Sequence, residues 1–320
     1  HPGKINMTDI DAALLVLRYL NDRPACAIIK HNNPCGVARA DSLEDAFHNA
    51  LEADMVAAFG GAVVLDRPCD EATAEGIMEG YVEVVAAPSF EQGTVAILEK
   101  RKNLRVVEVP NIGRLDEYRD LRFIELKSLM DGGLVVQTSF VARPRTVEDL
   151  TLAEAKRSGE TVRIAREPTA EELEDMLFGW YVEAGVTSNS VLYVKDGATV
   201  AIGTGEQDRV GVARIAREKA YRNTRERIAR TEHGKAYGDL EADTRKAIDA
   251  EVQETNAGLK GARMVSDAFF PFPDGVEVGL EQGITAVVQP GGSVSDAAVI
   301  ETVNAAGATM VFTGQRSFKH

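Results

Sequence analysis

Apolar and polar positions along this chain follow two rhythms, and the changes between them mark its elements. Residues 8–20, TDIDAALLVLRYL, space their apolar side chains three and four apart behind Thr8 and Asp9, which predicts a helix capped by those residues. A polar NDRP turn follows. The short apolar run ACAII then reads as a buried strand ending at KHNNP, residues 30–34. The same order returns at 169–182, TAEELEDMLFGWYV, where Pro168, Thr169 and an acidic first turn predict a helix start. That segment leads through EAGVTSNS into the strand VLYV and a KDG turn.

Two more stretches share a pattern. Residues 82–108 and 284–312 each read strand, proline, helix, strand, and each follows an aromatic-bearing segment, VAAFGGAVVL at 56–65 and SDAFFPF at 266–272. The repetition predicts two diverged copies of one α/β unit, a first subdomain over 1–150 and a second over 151–320. Residues 212–260 are strongly charged and helical in pattern, without a counterpart in the first copy. They predict a solvated or dimer-facing helical insertion. Six arginines crowd its first half, yet aromatics are scarce there, which argues against nucleic-acid binding.

Composition narrows the class. At 320 residues the chain can build one large domain or two ordinary ones, and 44% hydrophobic with 27% charged residues fits a soluble globular protein. No apolar run approaches the roughly 20 residues that span a bilayer, and no signal-peptide pattern opens the chain. Cys26, Cys35 and Cys69 form no disulfide framework and fit a reducing compartment, so a cytoplasmic location is expected. The chain opens on His1 rather than methionine, which suggests a tag remnant or a missing upstream segment. Fifty acidic against 36 basic residues leave a net charge of −14, which disfavours nucleic acid and anionic membranes as partners. Any anionic small molecule must be held by a local cluster of positive groups.

Three chemistries compete for the stretch CAIIKHNNPCGVAR, residues 26–39. Zinc deaminases use H-x-E followed by P-C-x-x-C. Here Asn32 and Asn33 follow His31, and Ala38 stands three beyond Cys35, so one imidazole and one thiol fall short of three protein ligands. A Cys35 nucleophile paired with His31 is chemically able, but a free cysteine beside a turn glycine is more often a packing residue. Lys30 and His31 can instead act together. A neighbouring ammonium disfavours the imidazolium and keeps His31 available as a base, while the ammonium stabilises a developing oxyanion. That pairing suits acyl or formyl transfer to a weak nitrogen nucleophile. The bland alternative is a strand-end lysine in solvent beside a capping histidine.

Elsewhere the signals are weaker. GTGEQDRVG at 203–211 and QPGGS at 289–293 can cradle phosphate through backbone N–H groups, but the first matches neither phosphate-loop fingerprint and reads more simply as a turn. Phe269 and Phe270 read as core, with Pro271 and Phe272 able to wall a flat heterocycle. The tail TGQRSFKH directly follows a buried strand and is expected to be pinned.

KHNNPCGVA, AFGG, EVVAAP, GGLVVQ, TSNSVLY, SDAFFPFPDG, ITAVVQPGGS and FTGQRSFKH occur in this order. Together they resemble the formyltransferase half of the AICAR formyltransferase/IMP cyclohydrolase family of purine biosynthesis, from about Gly3 to His320 and interrupted mainly at 212–260. The resemblance implies two tandem cytidine-deaminase-like three-layer αβα subdomains without zinc. It implies transfer of a formyl group from the co-substrate 10-formyltetrahydrofolate to the 5-amino group of AICAR. His31 would assist deprotonation of that amine, Lys30 would steady the charge as the folate nitrogen leaves, and Asn189 would orient the reacting groups. On the nucleotide side the resemblance places Asn6, Phe269 against the base, Arg316 as a phosphate contact, and Phe318 and His320 closing the site. Glu83 matches an acidic position near the carboxamide where many relatives carry Asp. Phe59 and Gly60, with Pro271 and Phe272, match the folate wall.

Ser188, Ser190 and Asp267 match part of a potassium site found in some relatives, and whether potassium binds here is left open. The resemblance also implies a homodimer with shared active sites. Two departures accompany it. The family's R-Y-G-x-N-P-H-Q segment, whose arginine approaches the substrate phosphate, has no match, and neither has the cyclohydrolase domain. Ring closure to IMP is therefore expected from another polypeptide or domain. An inactive nucleotide- or folate-binding regulator and a zinc-free nucleotide hydrolase are the alternatives. Preferred folate polyglutamate length is not legible.

Overall fold

Short runs of Val, Ala and Ile, apolar on both faces, become strands of one sheet because helices cover both of its sides. The computed structural model describes residues 2–320; His1, and with it the expectation of a tag or missing segment, lies outside the described residues. The fold is α/β, built on an eleven-stranded mixed sheet. From edge to edge its strands are Arg105–Glu108, Val84–Ala87, Ala62–Leu65, Ala25–Lys30, Asn33–Arg39, Ala198–Gly203, Val191–Lys195, Arg263–Ser266, Ala286–Gln289, Thr309–Phe312 and Thr151–Leu152.

One scheme runs outward twice from the middle. Each half has a hairpin, a third strand antiparallel to the hairpin's first strand, and two more strands parallel to the third. The halves meet where Ala38 pairs with Ala198. Beside that seam Val37 N donates to Thr199 Oγ1 at 3.0 Å, and the same hydroxyl donates to Val37 O at 3.2 Å. One apolar core spans both halves on one face of the sheet, joining Val16, Leu17 and Ile29 to Trp180, Val182 and Leu192. On the other face each half has its own cluster.

Helices Lys4–Leu17 and Ala170–Glu183, 14 residues each, precede the two hairpins. The second is capped where the sequence predicts. Thr169 Oγ1 accepts from Glu172 N at 3.2 Å, and the Glu172 carboxylate accepts from Thr169 N at 2.9 Å. The first begins at Lys4, not behind Thr8 and Asp9. Gly3 occupies the cap, its N–H satisfied by Asn6 Oδ1 at 3.2 Å, and Asp9 is buried within the helix. The predicted cap fails because Asp9 is used outside its own helix.

Residues 212–260 also depart from expectation. Helix Arg209–His233 follows the second hairpin as helix Leu43–Ala53 follows the first, so its opening turns do have a counterpart. It buries Val212, Ala213, Ala216, Ala220, Ile228 and Ala229. A stripe made mostly of alanine is easily lost among arginines in a sequence. The helix is also fastened to the first half: Asn223 Nδ2 donates to Ala53 O at 2.8 Å, and buried Asp54 faces Arg222 at 3.3 Å and Lys219 at 3.7 Å.

Ile124–Ser128 and Leu134–Thr138 form a separate two-stranded hairpin. One of its faces carries Ile124, Leu126, Leu134 and Val136, all more than half exposed. Its feet are held by Arg18, whose guanidinium donates to Leu121 O at 3.4 Å and Phe140 O at 2.7 Å. No helix among the described residues is long and apolar enough to cross a membrane.

Candidate functional site

His31 and Asn32 are the two central residues of the first hairpin's turn, with φ of 56° and 61°, between paired Lys30 and Asn33. Two consecutive left-handed residues match the twist of a two-residue hairpin, a geometry that favours Asn-Gly or Asp-Gly. A histidine there is strained, so its neighbours must hold it. Asp9 Oδ1 accepts from Asn32 N at 2.7 Å, and Asn33 Nδ2 donates to His31 O at 3.3 Å. Asn33 Oδ1 accepts from Thr187 N at 2.9 Å and from Thr204 Oγ1 at 3.2 Å. Lys319 Nζ donates to Asn32 O at 2.8 Å and to Gly185 O at 2.7 Å. The turn thus joins the first half to the Thr187–Ser190 loop and to the C-terminal tail. His31 itself is exposed at the tip.

Lys30 Nζ donates to Phe59 O at 2.7 Å, placing the lysine beside the Phe59-Gly60 bend. Gly60 has φ of 76°, where a side chain would be strained, and its N–H donates to Tyr81 O at 2.8 Å. The exposed Phe59 ring lies 4.8 Å from that of Tyr81. Close by, Asn6 Nδ2 reaches Glu83 Oε2 at 3.5 Å, and Arg105 Nη1 stands 3.9 Å from the same oxygen. The structure brings Asn6 and Glu83 together, and adds Tyr81 and Arg105, which sequence reasoning missed.

Across the seam, Asn189 is fixed from both ends of its amide. Its Nδ2 donates to Gln207 O at 2.9 Å, and its Oδ1 accepts from Arg209 Nη2 at 3.1 Å. Arg209 is buried; it also donates to Ser190 O at 3.0 Å and Ser266 Oγ at 3.2 Å, and it pairs with fully buried Asp267. Asp267 further accepts from Ser188 Oγ and from Ser190 N, the latter at 3.1 Å. Ser188, Ser190 and Asp267 do converge, with the Arg209 guanidinium already among them. Beneath them Glu183 accepts from Ser190 Oγ. Burial, with Asp267 nearby, pushes the Glu183 carboxyl well above the usual range. Arg209 was read only as part of a glycine-rich turn; its one signal was an arginine directly after the helix cap Asp208.

The tail is pinned. Ser317 N donates to Asp267 O and Ser188 N to Lys319 O, both at 2.9 Å. The Arg316 guanidinium lies 4.9 Å from the Phe269 ring centre and 5.7 Å from that of Phe318, whose ring is 6.0 Å from His320. Pro271 and Phe272 stand exposed beyond buried Phe270, on the second half, whereas Phe59 and Gly60 belong to the first. A cavity of about 600 Å³ opens between the tail and the outlying hairpin.

Cys35 is buried, and burial pushes its thiol up to about 12, so it is no thiolate nucleophile near neutral pH. Among the described residues no group of three or more His, Cys, Asp or Glu is placed to hold a metal ion.

A family model described as AICARFT/IMPCHase bienzyme matches residues 2–219. The bifunctional purine biosynthesis protein PurH of Dinoroseobacter shibae is 39% identical over 332 residues, covering 100% of this chain and 54% of that protein. Its namesake in Sorangium cellulosum is 39% identical over 315 residues, covering 98% and 51%. That of Thermoanaerobacter sp. (strain X514) is 38% identical with the same two coverages. The chain spans about half the length of the curated relatives it matches.

Proposed function

We propose, on the premise that the chain belongs to the AICARFT/IMPCHase bienzyme family, that it transfers a formyl group from 10-formyltetrahydrofolate to the 5-amino group of AICAR. The products are formyl-AICAR and tetrahydrofolate, in purine biosynthesis. The observation that carries the reading is the turn: Lys30 and His31 stand at a strained tip tied to the Thr187–Ser190 loop and the tail. Conjugation with the carboxamide weakens the AICAR amine. As its nitrogen attacks the formyl carbon, His31 takes the amine proton and Lys30 steadies the charge on the formyl oxygen. Collapse of the tetrahedral adduct breaks the bond to the folate N10, which leaves with a proton. Asn189, held by Arg209, orients the reacting groups, and positioning supplies much of the acceleration.

Asn6, Glu83, Phe269, Arg316, Phe318 and His320 form the nucleotide side of this proposal, and Phe59, Gly60, Pro271 and Phe272 the folate side. The repeated strand scheme supports two cytidine-deaminase-like subdomains over 1–150 and 151–320. A homodimer with shared sites is supported by the exposed apolar face of the outlying hairpin, since an isolated two-stranded hairpin is marginally stable in water. The cyclohydrolase step falls to sequence outside this chain, and the setting is cytoplasmic. Potassium at Ser188, Ser190 and Asp267 would have to share Asp267 with the Arg209 guanidinium that already pairs with it. Comparing activity in potassium and in tetramethylammonium salts tests that part.

The central test incubates the protein with AICAR and 10-formyltetrahydrofolate and follows tetrahydrofolate release, with His31→Ala and Lys30→Ala alongside. Turnover lost in both variants is expected. An inactive parent that still binds AICAR would favour the regulator instead, and full activity in both variants would sink the mechanism.

A further inference from the structure

Helix Arg209–His233 belongs to the second half, yet one of its stripes is turned on the first. Lys219, Asn223 and Arg227 stand four residues apart, with Arg222 beside Asn223, so they share a face. That face meets three consecutive residues, Glu52, Ala53 and Asp54. Arg227 Nε lies 3.8 Å from Glu52 Oε2, and Asn223 Nδ2 donates to Ala53 O at 2.8 Å. Arg222 and Lys219 lie 3.3 and 3.7 Å from Asp54 Oδ2. An exposed ion pair such as Arg227–Glu52 adds little. Asp54 differs because it is buried, so loss of its partners would leave a carboxylate uncompensated.

Asp54 also has a local task. Its Oδ1 accepts from Ala57 N at 2.9 Å and caps the four-residue helix Met55–Ala58. A single helical turn does not persist alone in water, so its place depends on that cap and on what anchors it. The next residue is Phe59, whose carbonyl accepts from Lys30 Nζ at 2.7 Å. The second half follows the same path without the charged anchor. Lys195 Nζ donates to Lys260 O at 3.2 Å, but the short helix before that carbonyl, Asn256–Gly258, has no side-chain cap. Neutral hydroxyls tie it to Arg209–His233, Thr224 Oγ1 on Ala257 O at 3.3 Å and Tyr221 on Asn256 Oδ1 at 3.4 Å.

We propose that Asp54 is a positioning residue for formyl transfer. Held by Lys219 and Arg222 of the second half, it fixes the Met55–Ala58 turn, through it the Phe59 carbonyl, and so the Lys30 ammonium. The inference rests on the formyl-transfer reading above. One helix then places a reacting group from each half, Asn189 through Arg209 and Lys30 through Asp54. Relative placement matters because a reacting group moved by about 1 Å can lose about 10² in rate.

The test uses Asp54→Ala, Asp54→Asn and a Lys219→Met/Arg222→Met double variant, each checked for folding by thermal melting. Asp54→Ala is expected to lower kcat about tenfold or more, with KM for AICAR little changed. Asp54→Asn keeps an oxygen for Ala57 N and should recover most of that loss. The double variant should fall between them. Nuclear magnetic resonance of protein isotopically labelled at lysine Cε gives a second readout, Lys30 being identified by the signal missing from Lys30→Arg. That signal should move towards those of solvent lysines in Asp54→Ala and stay near its parent position in Asp54→Asn. An unmoved Lys30 signal in folded Asp54→Ala overturns the proposal, and so does a moved signal with unchanged kcat. If Asp54→Ala does not fold, the double variant carries the same two readouts. Should the parent turn over no AICAR, the Lys30 signal still decides. Movement in Asp54→Ala then keeps the hold of Asp54 on Lys30 while formyl transfer falls, and no movement removes that hold as well.

Discussion

At Lys30–Asn33, and again at Lys195–Ala198, a lysine ends one strand, two residues of positive φ turn the chain, and a second strand returns. The supports correspond residue by residue. Asp9 and Asp175, each inside the helix before its hairpin, accept from turn N–H groups: Asn32 N at 2.7 Å in one half, Asp196 N at 3.0 Å and Gly197 N at 2.8 Å in the other. Lys30 Nζ donates to Phe59 O and Lys195 Nζ to Lys260 O, each carbonyl lying just before the third strand. Just after the third strands, Asp66 accepts from Ala25 N at 2.8 Å, and Asp267 accepts from Ser190 N at 3.1 Å. The frame is shared and its occupants are not. The second half turns with Asp196-Gly197, a dipeptide suited to this geometry, and the first with His31-Asn32, which is less so. On the proposed mechanism, this departure from the easy turn residues falls at the reacting pair.

Four measurements probe that contrast. His31→Ala is expected to lower kcat/KM by about 10²–10⁴, the usual worth of a positioned acid–base group, while Asp196→Ala at the matching turn position of the other half leaves it unchanged. Equal losses at both positions would erase the distinction between the turns.

The paired aspartates differ next. Burial pushes the Asp66 carboxyl up to about 7, whereas Asp267 faces the buried Arg209. With its pKa raised on folding, Asp66 contributes stability that is full below about 4, the unfolded value, and is lost as pH rises to about 7. The upper bound over that window is about 4 kcal/mol, from three units at about 1.4 kcal/mol each. Glu183, also raised, acts in the same direction. Melting temperature followed from pH 4 to 7 should therefore fall, and Asp66→Asn should flatten the slope. A slope unchanged in Asp66→Asn would assign the effect elsewhere.

Asp9→Ala and Asp175→Ala should each cost about 1–3 kcal/mol in denaturant unfolding, because each strands turn N–H groups. Asp175→Ala should cost more, since it frees two such groups and leaves Arg263, 3.3 Å away, unpaired. Only Asp9→Ala should also lower kcat. The smallest effect belongs to the double replacement of His31-Asn32 by Asp-Gly. It should raise stability by about 0.5–1 kcal/mol while abolishing turnover; a loss of stability would mean the native turn carries no strain.

Much of this was legible without coordinates where the signal was local. Pro168 and Thr169 with an acidic first turn announced a helix start, and the alternation of strand and helix announced an α/β chain. Lys30-His31 drew attention through its position at the end of an apolar run. Arg209 was hidden because its partners Asn189 and Asp267 lie before and after it in sequence and meet it only through sheet order. Lys319 was hidden for the same reason, as its acceptor Asn32 sits at the other end of the chain. The Gly3 cap was missed because Asp9, a good capping residue in isolation, is spent on the turn.

By itself the sequence determined what depends on neighbours along the chain: helix and strand periods, turn chemistry, the order of the motifs, and through them the family. Tertiary structure decided what depends on neighbours in space. It set the Arg209–Asp267 pair beside Asn189, the tail across the seam, and the outlying hairpin and the tail around one cavity. Charges and hydrogen bonds act over a few ångströms, and only the ordering of the strands brings such distant residues within that range.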